Sequence, residues 1–331
     1  MSGRFGMFDE MFKLRDIFAP HEGRIRNGLL AEDRRLIHYT SADNAISIIR
    51  GNQIWMKNIR LMNDFREVDH GFDLLKKAYT PPNDDAPEIG LHAIRKALNE
   101  VFPDVFDKTV ALFDQWFETM RASTHIVCLS EHDKDEDDFG RLSMWRAYGS
   151  RRVGVGLVIN PLPLYLVAEN FGAFSSPVFY CNEKDVMELF LEIAGNIRRD
   201  RDAVAKAGAD DVGGYLFQLL RALSICSKHR GFREEREWRI MHTKGLDDQG
   251  ALKYGIESMG GVPQGVFKLS FEDRPDLNMT GISIPQLLQR VFIGPTEYPD
   301  AVRDAFCQVL SDVGVKEPRK LVVCSDIPLR T

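Results

Sequence analysis

Two groups of residues in this chain have types and spacings that could do chemistry. The first is His38-Tyr39-Thr40, at the end of an apolar run, with Asn44 shortly after it. Near neutral pH a histidine both donates and accepts, and with a hydroxyl two positions on it can grip a vicinal diol. The competing reading is a histidine that caps a strand or is satisfied in the core. The second group is Arg233-Glu234-Glu235-Arg236-Glu237-Trp238-Arg239-Ile240, where a charged stretch runs into an apolar one. If Glu235 and Glu237 are both extended, they project from one face of a strand and Arg236 from the other. Two carboxylates on one face can divide labour, one holding a hydroxyl and the other orienting an acceptor, with mutual repulsion raising one pKa. The commoner fate of such a run is a solvated strand end. Against that, an Arg/Glu cluster entering Trp238-x-Ile240 is costly to leave unpaired in a half-buried sheet.

Other patterns fall short of the chemistry they suggest. Gly149 to Gly156 reads Gly-Ser-Arg-Arg-Val-Gly-Val-Gly, without the Lys-Ser/Thr ending of a phosphate loop and ahead of a strand where that loop needs a helix. Asp133, Asp135 and Asp137 have the odd spacing of a calcium loop, but Asp138 stands where the sharp-turn glycine belongs and Met144 where the bidentate glutamate belongs; they read as a solvated loop. The histidines show neither a His-x-x-x-His pair nor cysteine neighbours at ligand spacing, so no metal site is expected. A Gly-x-Ser-x-Gly nucleophile elbow is missing from the sequence.

The elements that must position these residues belong to an ordinary globular chain of 331 residues, 44% apolar and 28% charged. Its 43 basic and 49 acidic side chains give no general attraction to nucleic acid or an anionic membrane, although a local basic cleft is compatible with that total. Five cysteines, odd in number and with no Cys-x-x-Cys pair, read as reduced thiols. No continuous apolar stretch suggests a signal peptide or a membrane span, and a cytoplasmic location is expected.

Leu36 to Thr40 reads as a strand, followed by a helix capped by Ser41 or Asp43, with Ala45, Ile46 and Ile49 on one face and Gly51 as its C′ glycine. A strand at Ile54-Trp55-Met56 comes next, then a turn at Met62-Asn63-Asp64 into a helix through Glu67 to about Tyr79. The prolines of Thr80 to Pro87 mark a linker. Helical spacing covers Ile89 to Arg121 and, later, residues near 142–149, 184–206, 211–229 and 298–313. Short strands are expected around 126–129, 153–159, 177–180, 238–241, 266–269 and 291–293. This is an α+β plan without the regular alternation of a doubly wound parallel sheet. Residues 1–33, with Phe5, Phe8, Phe12 and Phe18, form an arm or short amphipathic helix. Residues 34–331 form one domain with helical insertions at about 80–121 and 184–230.

The ordered series His38 to Ser41, Trp55, Asn63-Asp64 with Glu67, Cys128 to Glu131, Met144-Trp145 with Tyr148-Gly149, Gly154 to Leu157, Glu235 to Ile240, Ile293 to Pro295 and Ser325 to Arg330 resembles an uncharacterised prokaryotic domain family. More distantly, His38 to Ile46 with Ile49 and Gly51 is similar to the start of ADP-ribosyltransferases of the His-Tyr-Glu type, above all their DNA-modifying toxin branch. Glu235-x-Glu237 is similar to the Glu-x-Glu strand of that superfamily. The resemblance implies an ADP-ribosyltransferase-like core of short strands in a mixed sheet, with inserted and flanking helices and NAD as substrate. It further implies that His38 and Thr40 position NAD with help from Asn44, and that Tyr148 or Tyr39 stacks on nicotinamide. Glu237 would hold the ribose 2′-hydroxyl and Glu235 would approach the acceptor. Trp145 and Trp238 either wall the cleft or fill the core, the latter being usual for buried tryptophan.

The expected activity is therefore ADP-ribosyl transfer or NAD hydrolysis, in a toxin or phage-defence effector whose acceptor is DNA, RNA or protein. A nucleic-acid acceptor gains if Arg198, Arg199 and Arg201, or Lys228, His229, Arg230 and Arg233, converge near Glu237. The alternatives are a nuclease or phosphodiesterase holding a divalent metal with Asp64, Glu67 and Glu235, and a non-catalytic sensor or interaction module.

Overall fold

Leu36, Ile37, Tyr39 and Thr40 are buried along Arg35–Ser41, and this mixture of branched and aromatic side chains favours a strand covered on both faces. In the computed structural model, which describes residues 13–32, 34–62, 65–79, 89–149, 153–162, 172–248, 250–259 and 261–328, that segment is strand β1 of a ten-stranded mixed sheet. The further strands are β2 (Gln53–Asn58), β3 (Thr124–His132), β4 (Gly154–Ile159), β5 (Phe174–Pro177), β6 (Phe179–Tyr180), β7 (Ser227–Lys228), β8 (Glu237–Thr243), β9 (Lys253–Met259), β10 (Val262–Ser270), β11 (Leu288–Ile293) and β12 (Val322–Cys324). The large sheet runs β12-β11-β4-β1-β3-β2-β10-β9, with β8 also on β3 and β5 on β8. β11 and β12 pair in parallel, whereas β1, β3 and β10 have antiparallel neighbours. β6 and β7 form a separate parallel pair.

The helices are α1 (Pro20–Ala31), α2 (Ala42–Gly51), α3 (Phe65–Ala78), α4 (Leu91–Asn99), α5 (Val105–Ser123), α6 (Leu142–Gly149), α7 (Glu183–Arg199), α8 (Arg201–Ala207), α9 (Ala209–Ile225), α10 (Ile284–Leu287), α11 (Pro299–Asp312) and α12 (Pro318–Leu321). The chain divides into two compact units. A helical unit is built from the described parts of Met1–Gly28, Ile59–Ala122 and Ser176–Arg233; the sheet unit takes Leu29–Asn58, Ser123–Ser175 and Glu234–Thr331. The helical segments expected at about 80–121 and 184–230 fall in the first, and the linker expected at Thr80 to Pro87 lies outside the described residues.

Within the helical unit, residues 13–18 and α1 are helical, and Phe18 is buried with its ring 6.0 Å from that of Tyr215; Phe5, Phe8 and Phe12 lie outside the described residues. Gly71 lets α3 close on α9, since a Cβ there would lie 2.5 Å from the Leu223 carbonyl oxygen. Phe72, Phe113, Phe117 and Phe217 fill the space beside that contact, with Phe72 and Phe117 centroids 4.6 Å apart.

In the sheet unit, Ser41 caps α2 by accepting from the Asn44 backbone N–H at 3.4 Å. The helix runs through Gly51, and it is Asn52, at φ 50°, that takes the left-handed cap expected of the glycine. Asparagine tolerates that conformation because its short amide can bond locally. On one face of the sheet Ile37, Tyr39, Val158 and Phe292 pack with Met144 and Trp145 of α6. Gly140, at φ +68°, makes the turn into that helix, and a Cβ there would meet the Trp145 ring at 2.6 Å. Gly140→Ala is therefore expected to cost more than about 1 kcal/mol, from backbone strain and overpacking together, and to lower the thermal midpoint.

Candidate active site at a split in the sheet

β1 and β2 lie along the same edge of β3, at opposite ends of it. β1 sets Arg35, Leu36 and Ile37 against His132, Glu131 and Ser130, while β2 sets Lys57 and Asn58 against Ile126 and His125. Val127, Cys128 and Leu129 fall between the two and are held from the other side by Ile240, Arg239 and Trp238 of β8. Beyond Ile37, β1 leaves β3 and continues along β4 as far as Ser41 opposite Gly154. The ladder on this edge of β3 is thus interrupted between β1 and β2, a slot in the pairing.

His38 is the first residue of β1 past its pairing with β3, and its Nδ1 lies 2.9 Å from the Cys128 carbonyl oxygen. A carbonyl only accepts, so Nδ1 carries the proton and the neutral ring presents Nε2 as an acceptor. Burial holds the His38 pKa below its usual 6.5; the Lys57 charge acts in the same direction and the Cys128 hydrogen bond opposes both. On the same strand Thr40 is buried, and its Oγ1 accepts from Asn44 Nδ2 at 3.3 Å, tying α2 to β1.

Residues directly opposed in antiparallel strands share a face. Ile37 opposes Ser130, and Ser130 opposes Glu237, so Ile37, Tyr39 and Glu237 belong to one face while Leu36, His38 and Thr40 belong to the other. The sheet thus divides the candidate residues between its two faces. β1 and β8 flank β3, which sets them about 10 Å apart.

Glu237 is 7% exposed and bound by Arg239, itself buried: Nε donates to Oε1 at 2.8 Å and Nη2 to Oε2 at 3.1 Å. Two-residue spacing in an extended strand places this carboxylate and guanidinium side by side. Glu235 does not join Glu237 as a second carboxylate on one strand face. It ends a 3-10 turn, Arg230–Glu235, and Arg236 at φ 46° breaks the alternation before β8 begins. The Glu235 carbonyl instead accepts from Arg141 Nη1 at 3.0 Å.

Tyr39, one of the two residues expected to stack on nicotinamide, and Trp145, expected to wall the cleft or fill the core, differ in placement from Tyr148. Tyr39 and Trp145 are buried and meet edge to face at 4.9 Å. The Tyr39 hydroxyl accepts from the Arg141 backbone N–H at 3.1 Å, and Trp145 Nε1 donates to the Phe139 carbonyl at 2.8 Å. Burial raises the Tyr39 pKa to about 12. Tyr148, on α6, is exposed. Trp238 is fully buried and donates to Ser175 Oγ at 2.5 Å.

The acidic loop after β3, expected to be solvated, is exposed at Asp135 but held in an ion-pair network at Asp133 and Asp137. Asp133 binds Arg236 through both oxygens, at 2.5 and 3.0 Å, and lies 3.3 Å from Arg34. Glu131 binds Arg34 and Arg236, and Glu136 binds Arg141. Asp137 binds Arg35, His132 and Arg290. The Arg236 hydrogen bond holds the Asp133 carboxyl below its usual pKa; burial pushes Asp137 upward, but hydrogen bonds from His132 and Arg35 outweigh it. These contacts fix the left-handed Arg236, and through it the start of β8. Arg236 positions the site through Glu131 and Asp133, some hundred residues away, and Arg141 joins the nearby Glu136 to the Glu235 carbonyl 94 residues on, links that no local pattern in the sequence records.

Among the described residues no three His, Cys, Asp or Glu side chains converge as a metal site. Asp64 and the side chain of Glu67, two of the proposed metal ligands, lie outside the described residues. Of the basic side chains, Arg198 binds Glu100, Arg199 binds Asp200, Arg230 binds Asp185, and Lys228 sits over the Phe232 ring at 4.7 Å. No helix among the described residues is long and apolar enough to cross a membrane.

A family model described as a protein of unknown function (DUF2971) matches residues 144–240. The matched span begins in α6 and ends within β8, so it holds Trp145, Tyr148, Glu235 and Glu237 and leaves β1 outside. No curated protein and no solved structure matches the chain.

Proposed function

We propose that this chain is an NAD-dependent ADP-ribosyltransferase-like enzyme, a toxin or defence effector that modifies nucleic acid or protein. The observation that carries the reading is the slot, which places a neutral His38 one strand away from the Glu237 strand. In this reading His38 Nε2 accepts from a ribose hydroxyl, and Glu237, oriented by the Arg239 fork, faces the nicotinamide ribose. Breaking the nicotinamide-ribose bond builds positive charge on the sugar, which a fixed carboxylate stabilises. Tyr148, exposed on α6, is the aromatic best placed to stack.

A non-catalytic binding module is the second reading, favoured by the mutual satisfaction of Glu237 and Arg239 and by the packing of Tyr39 on Trp145. Nicotinamide release from NAD, measured with DNA, RNA and protein present as acceptors, separates the two. Wild type is expected to release nicotinamide, and Glu237→Gln to lose roughly a hundredfold or more of that rate. Label on one acceptor fraction identifies the target class. No release with any acceptor would sink the transferase reading and leave the module.

A further inference from the structure

β9 ends the sheet: its one ladder neighbour among the described residues is β10. An edge strand of seven residues is a template for another strand, and proteins usually blunt it with proline, bulges or charged side chains. This edge has neither proline nor a bulge, and its two charges, Lys253 and Glu257, are of opposite sign. Its described segment reads Lys-Tyr-Gly-Ile-Glu-Ser-Met, with Ile256 66% and Tyr254 49% exposed, among the most exposed large apolar side chains in the chain.

The order of its residues selects the partner. One cation, Lys253, and one anion, Glu257, lie symmetrically about Gly255. Two copies of this strand running antiparallel about Gly255 set Lys253 against Glu257 and Tyr254 against Ile256, twice over. A parallel pairing would set like charge on like. In β9 the residues opposite Val262, Gln264, Val266 and Lys268 are Met259, Glu257, Gly255 and Lys253. With two residues joining Met259 to Val262, these odd-numbered positions bond to β10, and Tyr254, Ile256 and Ser258 turn their N–H and C=O groups outward. The register about Gly255 is therefore one in which Tyr254 and Ile256 of the two copies exchange hydrogen bonds, while the Lys253 and Glu257 pairs and the two Gly255 residues form the closer, non-bonded positions. Glu257 already binds Lys268 of β10, which orients its carboxylate on that face.

We infer that the chain forms a two-fold dimer by antiparallel pairing of β9 with β9 of a second copy. The inference is independent of the proposed activity. Sedimentation of wild type across the micromolar range is expected to show a mass that rises from monomer to dimer with concentration. Lys253→Glu sets like charges opposite each other twice and is expected to weaken dimerisation on the order of tenfold; Lys253→Glu combined with Glu257→Lys restores opposite pairs and the wild-type affinity. Under oxidising conditions Gly255→Cys is expected to trap a covalent dimer, because directly opposed non-bonded positions approach to about 4.5 Å between Cα atoms, whereas Ser258→Cys gives no more cross-linked species than wild type. A wild type that stays monomeric throughout, or a dimer indifferent to Lys253→Glu and uncrosslinked by Gly255→Cys, overturns the proposal.

Discussion

Arg239→Met is expected to lower the stability of the folded chain by about 3–5 kcal/mol, because it strands the Glu237 carboxylate in a buried position without its cation. Glu237→Gln keeps the shape and one acceptor oxygen for the Arg239 fork, so its cost is expected to be smaller, about 1–3 kcal/mol. Removing both charges, as in Glu237→Leu with Arg239→Met, relieves the uncompensated ion and is expected to cost less than Arg239→Met alone. Urea unfolding of the four proteins, compared at constant m, measures all three differences. A midpoint for Arg239→Met equal to that of wild type would contradict the buried pairing. The same series separates fold from chemistry at the slot. Loss of nicotinamide release in Glu237→Gln, beyond what its folded fraction explains, belongs to the carboxylate itself.

Much of the sheet was legible because its strands follow elementary patterns. The branched and aromatic run of β1, the Ser41 cap and the alternating Trp238-x-Ile240 all formed as their residue types demand. What the sequence does not carry is where a ladder stops. The slot exists because β1 and β2 share one edge of β3 at different registers, and residues 59–122 intervene between β2 and β3. No local pattern records that offset. The Glu235-x-Glu237 spacing misled for a related reason: alternation requires extended backbone at Arg236, and its left-handed φ is stabilised by Glu131 and Asp133 from a distant strand end. β9 escaped notice because Lys253, Glu257 and Ser258 hide its period, as expected of an edge exposed on both faces. In α2 the cap fell on Asn52 rather than Gly51, a one-residue shift that either residue's backbone freedom allows.

Stability is expected to fall as pH drops from about 6.5 to about 4, with His21 as one source. Burial, with the Arg24 charge second, lowers its pKa to about 4; the ring lies 4.6 Å from that of Phe179, and Nε2 has no hydrogen-bond partner among the described residues. The unfolded chain binds a proton near pH 6.5 that the folded chain refuses until about 4. Between those values the unfolded state therefore holds more protons, and stability rises with pH. At about 1.4 kcal/mol per unit, this group contributes up to roughly 3 kcal/mol at neutral pH, lost as pH falls through the window. Burial lowers the pKa values of His38, His125 and His132 as well, giving slopes of the same sign, whereas the buried Glu22 carboxyl is raised above its usual 4.5 and opposes them from 4.5 upward. Urea titrations from pH 7 to pH 4 check the sum, and His21→Gln checks the assignment. The variant is expected to be less steep than wild type by up to one proton's worth of slope, whatever its absolute stability. An unchanged slope would move the acid sensitivity to the three histidines of the sheet unit.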